Sequence, residues 1–130
     1  GKPQQDRVDW QPLSEQAITL ALAQNKRVFV DVTADWCITC KANKFNVLLR
    51  DDVQQALSAP DVVALRGDWS RPSDSIASFL RQRGSVAIPF NQIYGPGLTD
   101  GEILSPLLDR STLLATLAQA GIAPSQGETK

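Results

Sequence analysis

Val28-Phe29-Val30-Asp31-Val32-Thr33-Ala34-Asp35-Trp36-Cys37-Ile38-Thr39-Cys40-Lys41 is the stretch around which the rest of the chain is arranged. Apart from Asp31, its first half is β-branched and aromatic without polar alternation, the pattern of a strand buried on both faces of a sheet. Its second half holds the chain's two cysteines, three residues apart. Residues three apart on a helix are neighbours, with Cβ atoms about 5–6 Å from each other, so a small adjustment makes or breaks a disulfide without refolding. Cys37, opening such a helix, is expected to face solvent, where unpaired backbone N–H groups hold its pKa below the free-thiol value of about 8.5. Cys40, one turn further in, is expected to be shielded and to act as the resolving thiol.

Two blander readings compete with a redox switch. An inert local disulfide is weakened by the shortness of the loop it closes, since the stabilisation grows with loop length. A closed zinc site wants about four nitrogen or sulfur ligands, and the chain offers two sulfurs and no histidine. Two-coordinate Cu(I) binding between the thiolates stays open as an alternative. Asp31 interrupts an apolar strand six residues before Cys37, where burying a charge needs a reason. One reason is that it takes and returns the proton of Cys40; the other is that it is bonded to backbone or to a lysine. Asp35 is expected to be a solvated modulator, Lys41 and Lys44 are either thiolate-favouring or simply solvated, and Trp36 either shields the disulfide's flank or packs.

The 130 residues make one domain with a core and are too few for two. Apolar residues at 42% and charged ones at 21% describe an ordinary globular chain, and a net charge of -1 gives no reason to expect nucleic acid as a partner. No run approaches the about 18 apolar residues of a membrane span. The chain has no methionine and begins Gly1-Lys2-Pro3, which reads as a piece of a longer polypeptide.

Outward from the dithiol, Ser14 predicts the N-cap of a helix over 14–25, with Leu13 and Ile18 as a hydrophobic staple. Residues 1–12 read as an extended lead-in, 13–122 as the domain and 123–130 as a frayed tail. Beyond Cys40, Phe45, Leu48 and Leu49 lie at helical spacing, and Asp51-Asp52 caps a short helix that Pro60 stops. Residues 61–68 read as a second buried strand. Pro72-Ser73-Asp74 opens a helix that Gly84 ends. Strand-like runs follow at Phe90–Tyr94 and Glu102–Leu104, with Thr99-Asp100-Gly101 read as a tight turn, and Asp109 or Ser111 starts a last helix. This order gives an α/β domain with a central mixed sheet and helices on both faces.

The segment from Asp31 to Lys41 resembles the active-site segment of the thioredoxin superfamily. Within it, the chain is similar to the C-terminal thioredoxin-like domain of DsbD-type protein-disulfide reductases, and in particular to the ScsB-like (copper-sensitivity suppressor) branch. The resemblance spans roughly residues 14–121 and is supported by Gly67-Asp68-Trp69-Ser70, Ile88-Pro89 and Tyr94-Gly95-Pro96-Gly97. It implies a thioredoxin-like fold, Cys37 as nucleophile, Cys40 as resolving thiol, Asp31 as buried acid and Pro89 as a cis-proline beside the dithiol. Trp36, Ile88 and Pro89 would then form the surface that meets a partner chain. The redox-active disulfide itself is the only cofactor implied. The implied setting is a monomeric periplasmic domain, not itself inserted in the membrane. A transmembrane donor domain supplies it with electrons, and it reduces an N-terminal domain or separate periplasmic thiol-disulfide proteins. Lys44 departs from the family, which often has an acidic residue there, and Ile38-Thr39 matches neither the Gly-Pro of thioredoxin nor the Pro-His of strong oxidants.

Overall fold

β2 (Arg27–Thr33) runs through the middle of a five-stranded sheet, and everything else is laid out from it. The computed structural model describes residues 4–124. Chain order is β1 (Gln11–Pro12), α1 (Glu15–Ala23), β2, α2 (Ile38–Asn43), α3 (Asp51–Leu57), β3 (Val62–Asp68), α4 (Asp74–Gln82), β4 (Phe90–Gly95), β5 (Leu98–Ile103) and α5 (Arg110–Ala120). A π-helical turn, Lys44–Leu48, continues α2. The strands lie in the order β1-β3-β2-β4-β5, parallel across β1, β3 and β2 and antiparallel across β2, β4 and β5.

Alternation along β2 divides the core. Val28, Val30 and Val32 point to one face, where Ile18 and Ala21 of α1, Phe79 and Leu80 of α4, and Leu65, Phe90 and Tyr94 pack. Phe29 points to the other, against Val47, Leu48, Val53, Leu57, Leu113 and Leu117. Asp31 follows Phe29 by two residues and so belongs to this second face, the one covered by α2, α3 and α5. Helices therefore flank the mixed sheet on both faces, as expected. Ser14 caps α1 as read, and Ser73 and Asp109 cap the helices they are expected to open, their side chains accepting from Ala17 N–H, Ile76 N–H and Thr112 N–H. Asp51 and Asp52, by contrast, lie inside the first turn of α3, whose N-cap is Arg50. Among the described residues no helix is long and apolar enough to cross a membrane.

Three further expectations change. The lead-in is part of the domain over its described residues: Val8 is buried, Trp10 packs on Phe29 with ring centroids 6.1 Å apart, and Gln11-Pro12 pairs with Leu65-Arg66. Polar contacts hold it: Arg7 N–H donates to the buried Gln54 Oε1 at 2.6 Å, and Gln54 Nε2–H donates to Asp6 Oδ1 at 3.1 Å. Second, Thr99-Asp100-Gly101 is not a turn but lies inside β5, and the chain reverses at Pro96-Gly97. Gly101 has φ of 80°, which lets the strand pass where a Cβ would run into the Tyr94 ring. Third, Phe45 is exposed, because the π-helical turn takes it off the face that carries Leu48 and Leu49 inward. The tail from 125 onward lies outside the described residues.

Candidate active site

β2 ends at Thr33, and three residues later the chain enters α2 with Cys37 at its N-cap. The Cys37 side chain takes the place of a capping oxygen: its Sγ accepts from Cys40 N–H at 3.1 Å. The two cysteines are disulfide-bonded, with Cα atoms 5.2 Å apart. The expectation that Cys37 faces solvent while Cys40 is shielded is corrected: both are 6% exposed. The bond folds the Cys37 sulfur back over the first turn, where Ala34 and Ile88 pack against the pair. What lies open is the rim, with Trp36 60% and Ile38 82% exposed on either side of Cys37.

The Ile88-Pro89 peptide is cis, and Ile88 touches the disulfide cluster while Pro89 is buried at the entry to β4. Trp36 is neither buried nor loose. Its Nε1–H donates to the Trp69 carbonyl at 3.2 Å, forming a shallow cleft with Trp69, Ser70, Arg71 and Pro72. Asp35 is exposed; its backbone N–H donates to Ser70 Oγ at 2.8 Å, and that hydroxyl donates in turn to Asp68. Lys41 and Lys44 are exposed and line the same cavity as Cys40.

Asp31 is 4% exposed, and its buried carboxyl has partners on both oxygens. Arg66 Nε–H donates to Oδ2 at 2.9 Å and Asn91 Nδ2–H to Oδ1 at 2.8 Å. Loss of hydration pushes its pKa up from the ordinary carboxylate value, against the opposing pull of the Arg66 charge and the two hydrogen bonds. A cavity of about 220 Å³ joins Asp31 to Cys40, with Thr33, Lys41, Lys44 and Arg66 among its walls. The lysine partner offered for Asp31 in the bland reading is replaced by an arginine from β3.

Arg66, Asn91 and Asn43 are the site residues that sequence reading passes over. Arg66 had a signal: parallel pairing that starts at Arg27↔Val62 sets Asp31 opposite Arg66, two opposite charges at the same step of two apolar strands. Asn91 and Asn43 had none, since both act through contacts far along the chain. Asn43, 3% exposed on α2, donates from Nδ2 to the Pro106 carbonyl at 2.7 Å and accepts at Oδ1 from Leu108 N–H at 3.0 Å. It ties the dithiol helix to the loop before α5.

A dithiol at a helix start, fed by a buried strand and faced by a cis-proline, is the arrangement of a thioredoxin-like protein. The family model described as thioredoxin-like matches residues 9–96, and the chain belongs to that family. It is 33% identical over 70 residues to the thiol:disulfide interchange protein DsbD of Yersinia enterocolitica, a match covering 54% of this chain and 12% of that protein. Among solved structures it is similar to a thioredoxin from Thermus thermophilus, with TM-score 0.65 and 23% identity over 86% of this chain and 85% of that one. It is also similar to the reduced C-terminal domain of DsbD from Neisseria meningitidis, with TM-score 0.62 and 21% identity over 85% of this chain and 99% of that one. The DsbD-type likeness read from the sequence is thus met in both comparisons.

Proposed function

We propose that the chain is an electron-relaying protein-disulfide reductase domain, working through the Cys37/Cys40 couple. The observation that carries this reading is the Cys37 sulfur as N-cap of α2, bonded to Cys40, with a cavity running from Cys40 to the buried carboxyl of Asp31.

In the reduced protein the Cys40 N–H that now points at Cys37 Sγ favours a thiolate there. That thiolate attacks one sulfur of a partner's disulfide; a Cys37–partner bond forms and the partner's other sulfur leaves as thiolate. Cys40 gives its proton through the cavity to Asp31, and its thiolate attacks Cys37 Sγ. The Cys37–Cys40 bond forms, the Cys37–partner bond breaks and the partner sulfur that Cys37 held departs as thiolate, so two electrons pass to the partner. Trp36, Ile88 and Pro89 form the surface the partner lies against. Asp35, Lys41 and Lys44 modulate the charge around the dithiol. No cofactor beyond the disulfide is needed.

The likeness to DsbD supports a donor in a membrane domain, periplasmic location and thiol-disulfide partners, with the chain acting as a monomer. In the alternative, a Cu(I)-binding module for copper tolerance, the ion would sit between these two sulfurs. Among the described residues no group of three or more metal-ligating side chains stands nearby to complete a larger site.

A Cys40→Ala variant, offered an oxidised thioredoxin-like partner, should accumulate a mixed disulfide through Cys37 that mass spectrometry detects. A folded variant that forms no adduct, together with tight one-to-one Cu(I) binding by the unmodified chain, would replace this reading by the second.

A further inference from the structure

Asn91 stands on β4 directly across the antiparallel ladder from Asp31 and is 2% exposed. Its Nδ2 donates to Asp31 Oδ1 at 2.8 Å and to the Val30 carbonyl at 3.2 Å. Among the described residues, its Oδ1 is the buried side-chain atom left without any hydrogen-bond partner. A buried acceptor with no donor is destabilising and calls for an explanation.

We infer that Asn91 is a positioning residue for proton transfer: its amide donates a hydrogen bond to the Asp31 carboxylate in one orientation and accepts one from the carboxylic acid in the other. The inference rests on Asp31 taking the proton of Cys40, as proposed above. Arg66 brings a full positive charge to Oδ2 and opposes protonation there, so the oxygen that takes the proton is Oδ1, which faces the uncharged Asn91 amide. With the amide as it stands, an O–H at Oδ1 meets an N–H, and two donors oppose each other. A half-turn of the amide exchanges Nδ2 with the unpaired Oδ1, which then accepts from the acid. In return Nδ2 gives up its bonds to the Val30 carbonyl and to Oδ1, which returns the amide to its first orientation once Asp31 ionises.

The transfer is balanced: the Cys40 S–H bond breaks, the Asp31 Oδ1–H bond forms, and no electrons change hands. Charged neighbours of Asp31 are Arg66 from β3 and, behind it, Asp6 from the N-terminal segment. Asp35, Lys41, Lys44 and Asp68 line the cavity. Asn91 is the uncharged member of this set, and it can serve both forms of the carboxyl.

The test uses the oxidised protein, in which neither cysteine titrates. The Asp31 carboxyl carbon and the Asn91 side-chain NH₂ signals are followed by NMR across pH. The expected result is one shared midpoint for the two residues. In Asn91→Leu the Asp31 midpoint rises by up to about one pH unit, because the hydrogen bond lost to the carboxylate is stronger than the one lost to the neutral acid. NH₂ signals that stay still while Asp31 titrates overturn the inference, as does a midpoint unchanged or lowered in the leucine variant. The first of these needs no variant and stands if Asn91→Leu does not fold. A separate outcome bears on the underlying reading: an Asp31→Asn protein whose disulfide exchange keeps its pH profile removes the proton-acceptor role itself. A silent Asn91 amide removes only the inference.

Discussion

Asp31 is the residue at which stability and chemistry oppose each other. Burial raises its pKa in the folded protein above the unfolded value of about 3.9, so the folded state binds its proton more tightly. The sign follows directly: stability contributed at this site falls as pH climbs from the unfolded value to the raised one, then stays level. Replacing Asp31 with Asn removes that loss. The difference in unfolding free energy between Asp31→Asn and the unmodified oxidised protein should therefore shift toward the variant as pH rises above the unfolded value of about 3.9. Denaturant unfolding at several pH values measures it, and a difference independent of pH would contradict the assignment. Arg66 limits the size of the effect, since its guanidinium stacks 3.8 Å over the Trp10 ring, pairs with Asp6 at 3.5 Å and keeps a charge beside the carboxyl.

At the level of elements, α2 is short and is held by what its far end grips. Asn43 supplies the backbone of residues 106–108 with partners that no strand or helix provides. Asn43→Ala leaves the buried Leu108 N–H unpaired and strips a donor from the carbonyl of the exposed Pro106, which costs about 1–3 kcal/mol in denaturant unfolding. Loss below about 0.5 kcal/mol would mean the loop is held by other contacts. The same variant should label faster at reduced Cys40, because the helix that shields it loosens. β5 shows a second kind of local control. Its Gly101 reads in sequence as a turn residue, yet positive φ serves a strand irregularity as well as a reversal. That is why Asp100-Gly101 misled and Pro96-Gly97, four residues earlier, makes the reversal.

Across the whole molecule, legibility followed the range of the forces involved. β2, β3, the three side-chain caps and the dithiol are written in neighbouring residues, and they could be read. The N-terminal segment could not, because its hold on the domain is long-range: Arg7 reaches Gln54, Asp6 reaches Arg66, and Trp10 reaches Phe29. Deleting residues 1–10 should lower the melting temperature by about 10 °C, the effect of losing roughly 2–4 kcal/mol in a domain of this size. An unchanged melting temperature would mark the segment as an appendage after all. The covering of Cys37 was equally invisible, since it depends on where the oxidised sulfur comes to rest against Ala34 and Ile88. Reduction therefore decides the account. Reduced protein treated with limiting iodoacetamide across pH, and mapped by mass spectrometry, should be labelled at Cys37 first, with a midpoint clearly below the free-thiol value of about 8.5. Labelling that begins at Cys40, or a Cys37 midpoint at or above that value, would contradict it.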